Sequence, residues 1–455
     1  MGVGGLAEAL AGQVVWPADD GWDGARAAWN LSADLHPAAV VYPVSAADVA
    51  ATVRYASEHD LAIAFCAGGH NTEPIDFGAP TILLKTERMT GIEIDPVART
   101  ARIDAGVLAG DLAVAAGEHG LAFLSGTSPN VGVVGYALGG GLSWLAREHG
   151  LACNSIVAAD VVTADGQLRR IDQEHDPDLF WAIRGGSGNV AAVTALELRL
   201  FPIERVFAGA LFWPIERAAE ILEAWRTWHP SLPTTAESLG RLLQLPDVPF
   251  LPDAVRGRSF VLVEAAILGP DSDAAALIQP LRDLGPEMDT FRSMPPSDLS
   301  EVNMDPEMPV PYAGDGLLLG AFQAEAVDAL VGAFVGSALL HVEVRHLGGA
   351  LAASGPDHGV LDAIDDPYVL FTFGMTPEPA VHEAVVAAVG RVLAAIAPWA
   401  SGRRYLNFAE VPVDPREIFP AASFERLLRV KDAYDPDDRF HANHPVRRAH
   451  ASASA

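Results

Sequence analysis

Three groups of residues have the types and spacing to do chemistry. In A-I-A-F-C-A-G-G-H-N (Ala62 to Asn71) an apolar run ends directly in Gly68, Gly69 and His70, which holds a nucleophilic imidazole at a glycine turn. Glycines lack Cβ, so several backbone N–H groups can be aimed at one phosphate, and the turn is a candidate cofactor anchor. Alone, a histidine after Gly-Gly reads first as an ordinary loop residue. A second block, G-T-S-P-N-V-G-V-V-G-Y-A-L-G-G-G-L-S-W-L (Gly126 to Leu145), is too glycine-dense and too apolar for a linker. Two phosphate-friendly loops call for one large ligand. The third group is H-V-E-V-R-H-L (His341 to Leu347). A strand period of two puts His341, Glu343 and Arg345 on one face and Val342, Val344 and His346 on the other. That polar face is either solvated and charge-paired, or it covers a site in which Arg345 keeps Glu343 ionised as a proton acceptor.

The elements that must position these groups are legible in outline. P-A-A-V-V-Y-P (Pro37 to Pro43) reads as a short buried strand, and Ser45 as the N-cap of a helix with Asp48 near its positive end. This β-α-β unit delivers the Gly68–Gly69–His70 turn. Apolar runs at Ile82 to Leu84, Ile92 to Ile94 and Ala101 to Ile103 predict strands, and Asp111 to His119 a helix. D-V-V-T-A-D-G-Q-L (Asp160 to Leu168) predicts a hairpin with a tight Asp-Gly turn, and Val190 to Phe201 a further strand. From about 202 to 400, helices (Glu216 to Trp228, Asp271 to Leu284, Val381 to Ala397) alternate with strand-like runs (Ser259 to Leu268, Leu339 to Leu347, Val369 to Gly374). Proline-rich loops are expected over Leu232 to Pro252 and Met294 to Pro311. The expected fold class is α+β. Residues 1–201 hold two α/β subdomains (about 1–90 and 91–201), residues 202–401 an α+β domain on an antiparallel sheet, and residues 402–455 return to the first domain.

A chain of 455 residues suggests two or three domains, and 30 basic against 59 acidic residues give a formal charge of -29. No basic stripe is present, which argues against nucleic-acid and anionic-membrane partners. Cys66 and Cys153 stand in no metal-ligating spacing and imply no disulfide framework. The tract from Met1 to Ala11 lacks the features of a secretory signal, and no run approaches the ~18 apolar residues of a membrane span. A cytoplasmic location is the default expectation; the oligomeric state is open.

Together with D-L-F-W-A-I-R-G-G-S-G-N (Asp178 to Asn189) and Y-D-P-D-D-R-F (Tyr434 to Phe440), the two glycine-rich stretches resemble the FAD-linked oxidases with a p-cresol-methylhydroxylase-type (PCMH-type) flavin domain. Within them the sequence is most similar to the berberine-bridge-enzyme-like group, over about residues 35 to 205 and 402 to 446. The resemblance implies that 1–201 and 402–455 bind FAD and that 202–401 bind substrate. It implies that His70 is joined to the flavin's 8-methyl position, with Gly68, Gly69 and Asn71 contacting the pyrophosphate. Cys66, followed by Ala67, stands where the family usually has an arginine, which removes a compensating charge. Relatives that attach FAD a second time use a cysteine in G-x-C-P-x-V-G. Here Gly126 to Gly132 reads G-T-S-P-N-V-G, and the Ser128 hydroxyl is far less nucleophilic than a thiolate.

Val131 lies where the family tunes oxygen access. The tract Gly135 to Trp144, with Gly140 and Gly141, resembles a loop that lets the isoalloxazine and ribityl chain lie on bare backbone. Asn154 replaces a usual aspartate, and Ile156 and Val161 fall on the same cofactor-binding stretch. Gly185, Gly186 and Gly188 are expected near the adenine half, whereas Phe180 and Trp181 read as core. Y-L-N-F (Tyr405 to Phe408) resembles a Tyr-x-Asn-Tyr strand facing the flavin, with Asn407 and Asn443 as polar contacts. Phe408 has no hydroxyl and cannot be the base. Resemblance favours Tyr405 in that role; chemistry favours Glu343, because a phenol titrates near ~10 and a carboxylate needs less tuning.

The expected function is therefore hydride transfer from a C–H next to O or N of a small organic substrate (sugar, alcohol, amine or secondary metabolite) to FAD, with O2 as acceptor. The alternatives are a flavin dehydrogenase using another acceptor and a flavin-binding carrier that has lost catalysis. No G-x-G-x-x-G opens a helix after the first strand, which disfavours a nucleotide-dependent dehydrogenase. With Ser128 in place of a second linking cysteine, FAD should be attached once, through His70. Acid-precipitated protein should stay yellow and His70→Ala should lose the colour on denaturation; peptide mapping that finds flavin elsewhere overturns the assignment.

Overall fold

A computed structural model describes residues 4–249, 251–306 and 308–447, which build three sheets. Residues 1–3 of the expected first domain and 448–455 of the expected returning segment lie outside the described residues. The first sheet has the order Gln13–Val15, Ala39–Tyr42, Thr81–Lys85, Ala62–Cys66, Phe440–His441. All its pairs are parallel except the first. Ala39–Tyr42 is buried along its whole length, as expected of an apolar run between prolines. The Ser45 hydroxyl accepts from the Asp48 N–H at 3.2 Å and starts the helix Ala46–Glu58. Its face of Val49, Val53 and Ala56 packs on Leu6, Ile63 and Ile82.

Asp48 does more than complement a helix dipole. Its carboxylate is 4% exposed and accepts from the N–H groups of Ala11 (2.9 Å), Gly12 (3.1 Å) and Val44 (2.9 Å), tying the N-terminal tract to the sheet. At the opposite end of the chain, Lys431 Nζ donates to Asp435 Oδ2 at 2.5 Å and to the Phe440 carbonyl at 3.0 Å. Asp435 accepts in turn from the Arg439 and Phe440 N–H groups. This buried knot turns the tail so that Phe440 pairs opposite Ile63, beside the strand that carries His70.

The second sheet is antiparallel, in the order Ile92–Asp95, Thr100–Asp104, Ala192–Arg199, Ile156–Val162, Leu168–Ile171. Its Asp165–Gly166 hairpin turn has Gly166 at φ 72. The glycine-rich block is not an open loop throughout: Val133–Leu138 is a short helix packed in this sheet's core.

The third sheet has eight strands, all antiparallel, with Val206–Pro214, Ser259–Ile267, Ala236–Gln244, His341–His346, Tyr368–Met375 and Tyr312–Leu319 as successive neighbours. Helices Ala218–Trp228, Asp271–Arg282, Ala324–Phe334 and Pro379–Ile396 bury their apolar faces in its core. The expected proline-rich loop over 232–252 contains the strand Ala236–Gln244. Eight of its nine residues are buried, so no polar–apolar alternation marks it in the sequence. The helix expected over Val381 to Ala397 extends into Pro379–Trp399, which is long and apolar enough to cross a membrane by length and composition (mean hydropathy 1.7), contrary to the expectation that no run approaches that length. Its residues Val385, Ala388, Val389, Val392 and Ile396 are buried in the third sheet's core.

Asp48→Ala should leave three N–H donors unpaired and cost about 2–4 kcal/mol. Urea unfolding is the measurement, and a loss under ~0.5 kcal/mol would show that the N-terminal tract is not held in this way.

Candidate active site

The strand Ala62–Cys66 ends in a turn where Gly69 adopts φ 86. A Cβ at Gly69 would stand 3.0 Å from the Trp29 nitrogen, so the left-handed backbone and the close approach both require glycine. Trp29 stacks on the His70 ring with centroids 4.5 Å apart and planes 14° apart. The Tyr312 hydroxyl donates to the His70 carbonyl. Both imidazole nitrogens are buried without a partner, and burial lowers the ring's pKa to about 4, so His70 is neutral at pH 7 with a free lone pair. Asn71 Nδ2 donates to the Ala409 carbonyl at 3.1 Å, while its Oδ1 has no partner.

The second glycine block packs straight onto this turn. A Cβ on Gly132 would meet Ala67 Cβ at 2.7 Å, and one on Gly68 would meet the Asn130 carbonyl at 3.2 Å. Between the turn, the block and the C-terminal stretch lies a cavity with about 1500 Å³ of atom-free space, part of it open to solvent. Cys66, Ala67, Gly68, Gly69, His70 and Asn71 form one wall. Gly126, Ser128, Val131, Gly132 and Gly135 form the next. Tyr405, Asn407 and Asn443 line it from the C-terminal side.

Gly140, Gly141 and Trp144 are not on the wall. Cβ atoms on Gly140 and Gly141 would stand 3.0 Å from the Tyr405 hydroxyl and 2.8 Å from the Tyr136 ring, so these glycines admit two tyrosines rather than a ligand. Asn154 is also behind the wall: its Oδ1 accepts from the Gly359 N–H at 3.0 Å and its Nδ2 donates to the Leu361 carbonyl at 3.3 Å. Ile156 and Val161 lie in the hydrophobic core, with Phe180 and Trp181. Gly188 reaches the cavity, whereas Gly185 and Gly186 pack against Leu361 and Ala182.

Tyr405 to Phe408 is a 3-10 turn (Leu406–Phe408) rather than the expected strand. Asn407 Nδ2 donates to the Tyr136 carbonyl at 3.0 Å and pins the turn to the glycine block. Asn443 Oδ1 accepts from the Ser187 hydroxyl at 3.2 Å. The Tyr405 and Tyr136 hydroxyls are buried without partners, and burial holds both phenols well above their ordinary range. Glu410, Tyr136, Trp29 and Tyr312 were missed in the sequence. Tyr136 stands inside a stretch read for glycine and Glu410 lies two residues beyond the Tyr405 to Phe408 stretch, while Trp29 and Tyr312 arrive from distant elements with no local signal.

The polar face of His341–His346 is not solvated, since all six residues are buried. Nor does Glu343 reach the cavity; of that face only Arg345 does. Glu343 Oε1 accepts from Arg345 Nε at 2.7 Å, and its Oε2 accepts from Arg241 Nη2 at 2.7 Å. Burial alone would raise its pKa, but Arg345 and Arg241 outweigh that and hold it down at about 2, which makes it a poor proton acceptor. Arg241 also contacts Glu264 at 3.2 Å; burial raises Glu264 to about 7 against that attraction. Burial, with Asp315 and Glu73 nearby, holds the Glu410 carboxyl well above its ordinary range.

The unpartnered atoms test whether a flavin dinucleotide suits the cavity. Among the described residues, His70, Asn71, Tyr136 and Tyr405 all present buried polar atoms without a hydrogen-bond partner, which native interiors rarely tolerate without a ligand or water. Beside them the Gly68 and Gly132 turns bring backbone to the surface, as phosphate binding requires. The fit departs at one point: the Cys66 thiol, which burial raises to about 11, supplies no charge. Phosphate would be held there by N–H groups alone.

The comparisons agree with this geometry. A family model described as an FAD binding domain matches residues 37–172, and one described as berberine and berberine like matches residues 404–447. (R)-6-hydroxynicotine oxidase of Paenarthrobacter nicotinovorans is 35% identical over 234 residues, 51% of this chain and 48% of that protein. Glucooligosaccharide oxidase of Sarocladium strictum is 33% identical over 215 residues, 46% and 43% of the two chains. The chain thus matches under half the length of these two relatives. BBE-like 1 of Physcomitrella patens shares the fold, with a TM-score of 0.84 over 97% of this chain and 98% of that one at 19% identity.

Because Glu343 titrates near 4.5 unfolded and about 2 folded, it contributes stability above pH ~4.5 that is lost as pH falls toward 2. Glu343→Gln should therefore cost about 3 kcal/mol at pH 7, with the gap to wild type narrowing below pH ~4.5. Denaturant unfolding at both pH values decides it; a gap independent of pH contradicts an ionised, doubly paired carboxylate.

Proposed function

We propose that the chain belongs to the FAD-linked oxidases with a PCMH-type FAD-binding domain, in their berberine-bridge-enzyme-like group, and that it oxidises a small organic substrate at a C–H next to O or N with O2 as acceptor. The observation that carries this reading is the convergence of His70, Asn71, Tyr136 and Tyr405, each with an unsatisfied polar atom, on one cavity. Bound FAD supplies the redox chemistry, accepting a hydride and passing electrons to oxygen. The named relatives act on a hydroxynicotine and on glucooligosaccharides, which spans nitrogen-bearing and hydroxyl-bearing substrates.

His70 is the residue assigned to covalent attachment: its neutral, unpartnered ring has a free lone pair, and the Trp29 stack fixes its plane. The single link follows from Ser128, whose hydroxyl stays protonated near neutral pH. Backbone N–H groups around Gly68 and Gly132 hold the pyrophosphate. Tyr405, kept as a phenol by burial, donates a hydrogen bond that orients the substrate. Glu343 acts as a fixed anion behind Arg345 rather than as the base.

Val131, branched but short, leaves space at the cavity wall for oxygen. Photoreduced enzyme mixed with O2 in a stopped flow should reoxidise rapidly and release peroxide, and Val131→Leu should slow the step about ten-fold or more, a barrier of roughly 1.4 kcal/mol. Reoxidation taking minutes would sink the oxidase reading in favour of another acceptor.

A further inference from the structure

Among the described residues, the cavity wall carries one arginine, Arg345, no lysine, and one carboxyl group, Glu410. Glu410 is poorly placed to carry a negative charge: it is 6% exposed, the Tyr312 hydroxyl lies 3.4 Å from its Oε2, and burial pushes its carboxyl toward the protonated form. His70 is neutral as well. Arg345 reaches the wall from the centre of the third sheet, with its guanidinium 5.2 Å from the centre of the Phe408 ring. Tyr405 packs edge-on to that ring at 5.3 Å, so Arg345 and Tyr405 stand around Phe408 at one part of the cavity.

The arginine is rigidly aimed. Its Nε and Nη2 both contact Glu343 Oε1, at 2.7 and 2.6 Å, and among the described residues Nη1 has no hydrogen-bond acceptor. Glu343 is not held by this arginine alone, because Arg241, itself in contact with Glu264, draws on the other oxygen of the same carboxylate. Among the described residues the wall therefore offers a substrate one fixed guanidinium donor, while burial pushes its one carboxyl group toward the neutral form. Such a wall disfavours an ammonium ion, the form of a simple amine near neutral pH, and favours an oxygen that gains negative charge as it loses its proton.

We propose that the oxidised carbon bears oxygen rather than nitrogen, and that Arg345 is the specificity-determining residue, its Nη1 holding that oxygen as it becomes negative. The inference rests on the oxidase reading above and narrows it to alcohols and hemiacetals. The balance is that of an alcohol oxidation: the C–H bond breaks and its electron pair leaves as hydride to the flavin. The O–H proton leaves to cavity water, and the C–O bond becomes C=O. O2 takes up the two electrons with two protons and leaves as hydrogen peroxide.

The test uses purified flavin-loaded protein with matched probes, benzyl alcohol against benzylamine and cyclohexanol against cyclohexylamine, and benzoate as a stable anion. Benzoate should perturb the flavin spectrum with an affinity at least about ten-fold above that of benzylammonium, and alcohols should bleach the flavin anaerobically where their amine partners do not. Arg345→Gln should weaken benzoate about ten-fold or more, and Arg345→Lys should recover part of it. Since Arg345→Gln leaves Glu343 under-paired, Arg345→Gln/Glu343→Gln is the balanced control and should lose benzoate equally. Benzylammonium binding as tightly as benzoate, benzoate affinity unchanged in the folded double variant, or no probe anion binding at all overturns the proposal. Amines that bleach the flavin while alcohols do not would leave the oxidase reading standing and remove this one. Benzoate binding that depends on Arg345 without bleaching by any probe would do the reverse.

Discussion

The contact between two bare backbones holds the site together. Gly132 meets Ala67 where no further atom fits, and Gly68 meets the Asn130 carbonyl almost as closely. One turn ends a parallel strand of the first sheet, and the other opens a short helix packed on the second. Their approach fixes the spacing of two sheets that share no hydrogen bonds as neighbours. It also lines one cavity with two sets of backbone donors. Side chains at either glycine would push the turns apart, and neither turn alone could enclose a ligand of two phosphates and a ring system.

The third wall comes from both ends of the remaining chain. Asn71 and Asn407 bind backbone carbonyls of partners far away in sequence, Ala409 and Tyr136, so the 3-10 turn carrying Tyr405 is clamped to both glycine blocks. The buried Lys431–Asp435 pair then returns the tail to the first sheet. Burying that pair is tolerable because Asp435 also accepts two backbone N–H groups and Lys431 donates to a carbonyl, so few polar atoms are left unsatisfied.

Charge in the third sheet follows a different logic. Arg241, 2% exposed, sits between Glu264 and Glu343, and Glu343 is shared with Arg345. This chain of alternating charges lets an arginine project from a sheet interior to the cavity without an unpaired ion behind it. The same sharing removes Glu343 from acid–base work, because a carboxylate held by two guanidinium groups has little affinity for a proton. Tyr405 stands in the opposite regime, a phenol in an apolar setting that retains its proton.

The sequence by itself determined what depends on local chemistry and short-range pattern. It marked the glycine turn carrying His70, the Ser45 cap, the Asp-Gly hairpin and the helices of the last half, because φ freedom, capping and a 3.6-residue period are written in neighbouring residues. The order of its motifs carried a resemblance to the FAD-linked oxidases, and family models match residues 37–172 and 404–447. The sequence did not mark Ala236–Gln244, whose burial on both faces erases the alternation that signals a strand. Tertiary structure alone decided that Gly140 and Gly141 admit tyrosines rather than a cofactor, since only the fold brings Tyr136 and Tyr405 against them. It alone decided that Glu343 is spent on Arg241, a residue 102 positions away on a neighbouring strand, and that Arg345 faces the cavity. A period of two could place these side chains on one face, but which atoms that face meets depends on strand order, and strand order is a property of the assembled sheet.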